Sequence, residues 1–386
     1  MIIKTTKRDK FIYILLFILV IISAVSYSPN VFADAGVYGL LHSVLLICMG
    51  GLALLTNNFT KLLQNSFENK LLIPLIILVL FFILFLGLGC RITTEDILQI
   101  FIVYICVWIG HELHVSQNNM VILLFAYALV ALYLAISSIG TYVGDFSMDS
   151  NMYEIDAKNQ IGAIVSTAAY VMCFMSQKTQ NRKLQLLSLI LMGTLCVLLF
   201  IIRCRTALLA FLIAAIFTIF RVGTKKKVVI YFTIGFIVCL LFYQQIIDVL
   251  YSAFVGDRGV SNMDDLSSNR LERNIQGIDY LSNHLFVGEL RNHSGIEIIH
   301  NYLLNRFVFY GIWAFPLFLC YIIFALKILK QTCIPRQFSF YDIGYFVLII
   351  PFICSFLEPD APFGPGTVQA FLYILFGFSL KNSQNH

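Results

Sequence analysis

Long apolar runs, separated by mostly short polar connections, make up almost the whole chain. Most runs are roughly 18 to 22 residues long, the length an α-helix needs to cross a bilayer core of about 30 Å. Short connections suit a helical bundle, because irregular backbone facing lipid would leave its polar groups without hydrogen bonds. The pattern predicts an all-α polytopic membrane protein, a single integral membrane domain over residues 1–386 with about twelve transmembrane helices, near 11–29, 37–56, 71–89, 97–113, 120–139, 161–176, 184–202, 206–221, 228–246, 301–326, 340–357 and 365–380.

Two connections are longer, at residues 141–160 and 247–299, and the twelve-span pattern places both outside the cytoplasm. In the second, apolar residues recur at steps of four, three, three and four, which is the spacing of one helix face: Leu271, Ile275, Ile278, Leu281 and Leu285. The long extracytoplasmic loop is therefore predicted to contain an amphipathic helix that lies on the surface and packs against the bundle or the membrane interface.

The composition supports a membrane location. Hydrophobic residues make up 59% of the 386 positions, charged residues 12%, and the mean hydropathy is +0.86, whereas about 25% charged residues is usual in soluble proteins. The apolar run after Lys10 is long and lacks a convincing small-residue cleavage site, so we interpret it as a helix and not as a signal peptide.

Basic residues set the predicted orientation, since cytoplasmic loops retain lysine and arginine. With a cytoplasmic N-terminus and twelve spans, 17 of the 26 basic residues fall inside and both termini are cytoplasmic. The net charge of +5 then reflects the anchoring of cytoplasmic loops, and no nucleic-acid partner is predicted. The other basic residues all map to the outer half and predict a ring around an outward-facing site: Arg91, Lys158, Arg203, Arg205, Arg258, Arg270, Arg273, Arg291 and Arg306.

Arg203 and Arg205 interrupt a mostly apolar stretch in "IIRCRTALLAFLIAAI", so the chain is predicted to turn at the outer boundary of the membrane. One interpretation is a pair of snorkelling arginines that end one helix and begin the next. The other is an anion site, because arginines can hold phosphate oxygens and a helix beginning near Thr206 adds the positive end of its dipole. We favour Arg205 over Arg203, since Arg205 adjoins the predicted helix start.

Arg270 and Arg273 are three positions apart on one face of the predicted amphipathic helix, away from its apolar stripe. His300 and Asn301 open the tenth predicted span, where Asn301 would cap a helix by accepting hydrogen bonds from free amides. In a chemical role, His300 would accept a proton from a sugar hydroxyl near neutral pH, with Asn301 orienting it or the substrate. A solvated charged face is the alternative for Arg273.

No metal site and no cofactor are predicted. The segment "HELH" at 111–114 lacks the H-E-x-x-H spacing that places two histidines one helical turn apart beside a glutamate. The twelve-span topology also places this segment on the cytoplasmic side, away from the ring of arginines.

Four segments occur in a characteristic order: "KNQIGAIV" opens the sixth span, "RTALLAF" opens the eighth, "NRLERNIQGIDYLSNHLFVG" lies in the long loop and "HNYLLNRFVFYGIWAFPLF" closes it. In this order and placement they resemble the O-antigen polymerase and O-antigen ligase superfamily, of Wzy and WaaL type. The segment "SFLEPDAPF" also looks like the acidic segment often found in the polymerases. Two positions depart from the family pattern: Cys204 stands where serine or glycine often precedes "RTAL", and only Gly288 remains of a G-x-G after the amphipathic helix.

The resemblance implies a metal-independent, inverting glycosyltransferase of the bacterial cytoplasmic membrane, with its active site facing the exterior. Its donor would be an undecaprenyl-diphosphate-linked oligosaccharide, and its partners would be membrane lipid, a flippase and a chain-length regulator. Carried onto this chain, Arg205 and Arg270 match the family's diphosphate-handling arginines, and His300 matches the histidine usually proposed as the base. Substrate binding is assigned to six further residues: Arg203, Arg273, Asn301, Tyr302, Glu358 and Asp360.

Three functions remain open from the sequence. The acidic "EPDAPF" segment, the short chain and the absence of a larger outer loop favour a repeat-unit polymerase, which joins a growing chain to the non-reducing end of a new lipid-linked unit. A ligase that moves finished polymer to lipid A core or another acceptor is the alternative within the superfamily. A flippase or secondary transporter would also have about twelve spans, but transporters tend to carry polar residues and broken helices near the bilayer midplane.

Overall fold

A computed structural model of the protein describes residues 7–25, 94–142, 158–202, 204–224, 270–290, 298–334, 337–359, 361–363 and 366–383, with isolated positions between 44 and 51 and between 229 and 247. The helices are α1 (Lys7–Val25), α2 (Thr94–Glu112), α3 (Gln117–Tyr142), α4 (Lys158–Lys178), α5 (Arg182–Ile202), α6 (Arg205–Val222), α7 (Arg270–Asn283), α8 (Tyr302–Tyr310), α9 (Phe315–Cys333), α10 (Ile343–Val347), α11 (Ile349–Cys354) and α12 (Gly366–Ser383). Short 3₁₀ turns lie at Gly288–Leu290, Gly311–Ala314 and Phe340–Asp342, and the described residues include no strand.

By length and apolar composition, four helical stretches in the described part of the chain are able to cross a membrane: Gln117–Ile139, Arg182–Ile202, Arg205–Val222 and Tyr302–Cys333. Shorter apolar helices accompany them at Ile102–Glu112, Phe340–Cys354 and Ala370–Asn382. In its described part the protein is all-helical, and its long apolar helices indicate a membrane protein. The predicted spans near 37–56, 71–89 and 228–246, most of 141–160 and the first part of 247–299 lie outside the described residues, so the count of twelve spans and the orientation stay predictions.

Helix α5 illustrates why these helices belong in a membrane. Leu195 and Leu199 are buried on one side, whereas Leu186, Ile190 and Val197 are exposed on the other. A helix on the surface of a soluble protein carries polar residues on its exposed face, so a helix that is apolar on both faces indicates contact with lipid.

Helix α4 runs through the middle of the bundle, and almost every residue in 161–177 is buried. It packs against α3, α5 and α6. The hydroxyls of Ser166 and Ser176 donate to backbone carbonyls three positions earlier, at 3.1 and 2.7 Å. Because these hydroxyls are satisfied within the helix and neighbouring helices shield it, α4 tolerates more polar residues than a lipid-facing span does.

The C-terminal helices share an aromatic core around Phe324 of α9. Its ring lies 5.5–5.7 Å, centroid to centroid, from the rings of Phe363, Tyr373 and Phe376. Helix α12, which carries the last two, packs along α2 and against α10. These contacts fix α12 against an earlier helix and hold Phe363, which lies between α11 and α12, in place.

The helical conformation is interrupted between α8 and α9 at Gly311, whose φ of 58° lies in the left-handed region. Gly288, the remaining glycine of the expected G-x-G, has a φ of 56° and lies against the backbone carbonyls of α8. The Ile312 amide donates to the carbonyl of Leu285 at 2.8 Å. A side chain on either glycine would be strained and would overlap backbone atoms. This interlock ties the segment after α7 to the start of α9.

Candidate functional site

Several helix ends meet at one end of the bundle, and Arg270 joins them. Arg270 opens α7, and its Nη1 donates to Thr206 Oγ1 at the start of α6 (3.1 Å) and to the carbonyl oxygen of Leu357 (2.7 Å). Its Nη2 forms an ion pair with Glu358, 3.3 Å from Oε1. The arginine side chain is 22% exposed and that of Glu358 is 15% exposed. A guanidinium held by several acceptors in a partly desolvated place is more ordered than a surface ion pair.

Glu358 is held from a second side by the start of α4. Asn159 Nδ2 donates to Glu358 Oε2 at 3.1 Å, and Asn159 Oδ1 lies 3.9 Å from the thiol sulfur of Cys204. Gly162, one turn along α4, leaves the space that Cys204 fills, since a Cβ at this glycine would overlap the sulfur. The Glu358 carboxylate thus bridges a guanidinium and an amide. Asp360, which was assigned to substrate binding with it, lies outside the described residues.

Arg205 is the first residue of α6 and adjoins Thr206, which accepts a hydrogen bond from Arg270. The prediction of a helix start at this place is confirmed. The preceding residue, Cys204, makes no side-chain hydrogen bond to the first amides of α6. A helix N-terminus without a side-chain cap favours anions through its amides and its dipole. Arg203 lies outside the described residues.

The turn that carries Glu358 also receives the start of α8. The amide of Tyr302 donates to the Ser355 carbonyl at 2.9 Å, and Asn301 Nδ2 donates to the Phe356 carbonyl at 3.5 Å. Asn301 Oδ1 accepts from the Leu304 amide at 3.0 Å, which is the predicted capping contact. Because the next two residues of the same turn hold Arg270, the start of α8 and the start of α7 are tied to one short segment.

His300 immediately precedes this cap and is half-buried. Its neighbour Ile299 is fully buried against Gly277 of α7, where a Cβ would overlap the isoleucine side chain. The Nδ1 atom of His300 is buried and has no hydrogen-bond partner among the described residues. Burial, followed by the charges of Arg270 and Arg273, lowers the pKa of His300 to about 4. His300 is therefore neutral at pH 7, and a neutral imidazole has one ring nitrogen that can accept a proton.

Tyr302, predicted to bind substrate, has its side chain in the core, where it is 2% exposed. Its ring lies 5.6 Å from that of Phe363 and 6.0 Å from that of Tyr321, and the guanidinium of Arg306 sits 5.2 Å from its centroid. The Tyr302 side chain thus packs in the core at the start of α8, and its assignment to substrate binding stays a prediction. Arg273 is partly exposed on α7 and lies near enough to His300 to affect its pKa.

Four contributors to this cluster were not assigned by sequence reasoning. Asn159 and Thr206 stand inside the quoted segments "KNQIGAIV" and "RTALLAF", where a polar side chain at a helix start was the available signal. Asn274 lies one turn after Arg270, and its buried Oδ1 has no hydrogen-bond partner among the described residues. The fourth is the carbonyl of Leu357, a backbone group that leaves no trace in the side-chain pattern.

In the described part of the chain, no three or more His, Cys, Asp or Glu side chains are placed to hold a metal ion. The "HELH" segment instead links helices. His114, just beyond α2, lies 3.9 Å from Asp9 of α1 through its Nδ1 and accepts a hydrogen bond from Lys381 of α12 at 2.9 Å through its Nε2.

The cluster combines Arg270, the uncapped helix start that carries Arg205, the Glu358 carboxylate and the neutral His300. Such an arrangement can bind an anionic group beside a proton acceptor. Comparison with models of protein families found no match to the chain, and comparison with curated proteins found none.

Proposed function

We propose that the protein is a repeat-unit polymerase: a metal-independent, inverting glycosyltransferase that moves a glycan from undecaprenyl diphosphate to the non-reducing end of another lipid-linked unit. The observation that carries the proposal is the Arg270 cluster, which joins the start of α6, a carboxylate and the neighbourhood of a neutral His300. The resemblance of the four ordered segments to O-antigen polymerases and ligases supports the same assignment.

Donor binding would exchange one anion for another. The diphosphate would displace the Glu358 carboxylate from Arg270, while Arg205 and the first amides of α6 would hold its second phosphate. Asn159 would then hold the displaced Glu358 side chain, and Thr206 would hold Arg270. A lipid-linked diphosphate suits a membrane enzyme, because its isoprenoid chain stays in the bilayer while its phosphates reach the helix ends.

In the reaction, a hydroxyl oxygen of the acceptor sugar forms a bond to the anomeric carbon as the bond from that carbon to the diphosphate breaks. The electron pair leaves with undecaprenyl diphosphate, and the hydroxyl proton passes to the imidazole ring of His300. Attack on the face opposite the leaving group inverts the anomeric configuration. Arg205 and Arg270 would stabilise the charge that develops on the diphosphate, and removing one such contact costs roughly 2.7–4 kcal/mol, or about 10²–10³ in rate.

Donor binding would also strengthen the base. Arg270 and Arg273 hold the pKa of His300 low in the empty site, after the larger effect of burial. The negative charge of a bound diphosphate opposes both arginines and raises that pKa toward its ordinary value. His300 would thus be a stronger base when the donor is present than in the empty site.

The proposal includes twelve spans, cytoplasmic termini and a site on the exterior face of the bacterial cytoplasmic membrane, where a flippase would deliver lipid-linked units and a chain-length regulator would act. A reporter fused near residue 265 is expected to read outside the cytoplasm. A cytoplasmic reading would place the site on the side of the membrane opposite its substrate and would contradict the proposal.

Deletion of the gene tests the reaction. A polymerase mutant keeps single repeat units attached to their final acceptor, a ligase mutant accumulates lipid-linked polymer, and a flippase mutant traps single units inside. Complementation with His300→Ala, Arg205→Ala or Arg270→Ala, at normal protein levels, should fail to restore long chains. Arg182→Ala, which removes an exposed arginine from the far end of α5, serves as the control and should restore them.

A further inference from the structure

Helix α7 has three distinct faces. The first packs against the protein and includes its buried and partly buried residues: Arg270, Arg273, Asn274, Gly277, Tyr280 and Leu281. The second is apolar and exposed, with Leu271 at 49%, Ile275 at 52% and Ile278 at 56% exposure. The third is polar and exposed: Glu272, Gln276, Asp279 and Asn283. Three residues of the predicted apolar stripe, Leu271, Ile275 and Ile278, therefore do not pack against the bundle, whereas Leu281 is partly buried.

Two contacts on the first face fix this orientation. Arg270 is bound to Thr206, to the Leu357 carbonyl and to Glu358. On the same face, Gly277 lies so close to Ile299 that a Cβ at residue 277 would overlap the isoleucine side chain. Turning the helix about its axis to bury the apolar row would break the first contact and push larger side chains into the space at the second.

The apolar row continues onto a membrane-spanning segment. Leu285 and Phe286, which follow α7, are exposed, and the carbonyl of Leu285 accepts a hydrogen bond from the amide of Ile312. Ile312, Trp313 and Phe315 are exposed in turn. These three belong to Tyr302–Cys333, a stretch long and apolar enough to cross a membrane. The exposed apolar surface is thus continuous from α7 to the outside of that span.

We propose that α7 lies in the boundary layer of the bilayer, with its Leu271, Ile275 and Ile278 row among the acyl chains and its Gln276 face toward water. The polar and apolar exposed faces are roughly 100° apart around the axis, at about 100° per residue in an α-helix. A helix with adjacent exposed faces of opposite polarity fits a border between two solvents. Trp313, beside the row, is a residue type enriched at that border. The occupant of the apolar face is lipid.

This inference stands apart from the proposed reaction, because it concerns where α7 sits and not what its arginines bind. It has a structural consequence for the site. Arg270 opens α7, so a boundary position for the helix places the Arg270 cluster at the level of the lipid headgroups.

Fluorescence quenching of a single tryptophan tests the position of each face. The full-length protein, with Trp108→Phe and Trp313→Phe, receives either Ile278→Trp on the apolar face or Gln276→Trp on the polar face, and is reconstituted in phosphatidylcholine vesicles. Brominated phosphatidylcholine should quench the tryptophan at residue 278 at least about twofold more strongly than the tryptophan at residue 276. Aqueous iodide should quench the tryptophan at residue 276 more strongly. If replacing both native tryptophans prevents folding, Trp108→Phe alone leaves Trp313 as reporter, and brominated lipid should quench it.

Three results would overturn the proposal. Equal quenching of both reporters by iodide, without quenching by brominated lipid, would place the whole helix in water. Shielding of the residue-278 reporter from both quenchers would mean that protein, such as a second copy of the chain, covers the apolar face. In the Trp108→Phe variant, a Trp313 that iodide quenches and brominated lipid does not would place the adjoining surface in water.

Discussion

The ion pair between Arg270 and Glu358 makes a prediction in which stability and ligand affinity change in opposite directions. Glu358→Gln keeps the shape of the side chain and an oxygen that can accept from Arg270, but removes the negative charge. In the empty protein the arginine loses its counter-ion, so the folded state should become less stable. In the presence of a diphosphate, the competing carboxylate is gone, so binding should become tighter.

The size of both effects follows from one interaction. A hydrogen bond to a charged group contributes about 1.5–3 kcal/mol and a neutral one about 0.5–1.5 kcal/mol. The Arg270 and Glu358 side chains are 22% and 15% exposed, so solvent screens part of that difference. We therefore expect a loss of about 1 kcal/mol in the free energy of unfolding and a gain of similar size in diphosphate affinity, which is about fivefold.

Thermal unfolding and calorimetric titration with farnesyl diphosphate, both on the purified full-length protein in lipid nanodiscs, measure the two quantities. Asp279→Asn is the matched control, because it removes an exposed carboxylate from the polar face of the same helix, away from the first turn that carries Arg270. This control should change neither quantity beyond the effect of one surface charge. A Glu358→Gln protein that binds farnesyl diphosphate more weakly than the wild type would refute the view that the carboxylate occupies the anion's place.

Three further predictions concern the histidine, its cap and the guanidinium. Since the pKa of His300 is lowered to about 4, the neutral base is lost only as pH falls through that value, and the acid limb of kcat/KM should lie near pH 4. Arg273→Gln removes one of the charges that lower this pKa, so it should move the acid limb to higher pH. An acid limb unchanged in Arg273→Gln would contradict this. Asn301→Ala should lower the free energy of unfolding by about 1 kcal/mol through loss of the cap, whereas Asn301→Ser, which retains a capping oxygen, should lower it less; equal losses in thermal unfolding would point to another cause. Arg270→Lys keeps the charge but cannot reach three acceptors at once, so transfer activity should fall well below wild type at normal protein levels. Wild-type activity would show that the fork geometry is unnecessary.

Most of the described helices could be predicted from the sequence, because apolar periodicity and run length depend on local physics. The start of α6 followed from the two arginines that interrupt an apolar run, the start of α8 from a capping asparagine, and the extent of α7 from apolar spacing. The cap by Asn301 is a contact over three positions, which a local pattern can show.

The partners of Arg270 could not be predicted in this way. They lie 64 to 88 positions away in the chain, and one is a backbone carbonyl. Periodicity shows that α7 has an apolar row but not what that row faces, because in a membrane protein lipid and core are both apolar. The same ambiguity explains Tyr302, whose ring fits a substrate surface or a core equally well until its burial is known.

The central claim is that the Arg270 and His300 cluster transfers a glycan from a polyprenyl diphosphate to a sugar hydroxyl. The most direct test incubates the purified protein in vesicles with lipid-linked repeat units extracted from the organism that encodes it. Product length and released undecaprenyl diphosphate are followed together. With the wild type we predict longer lipid-linked chains and one released undecaprenyl diphosphate for each transfer. With His300→Ala or Arg270→Ala we predict neither. Movement of intact units across the vesicle without release, or chain growth at the wild-type rate in His300→Ala, would contradict the account.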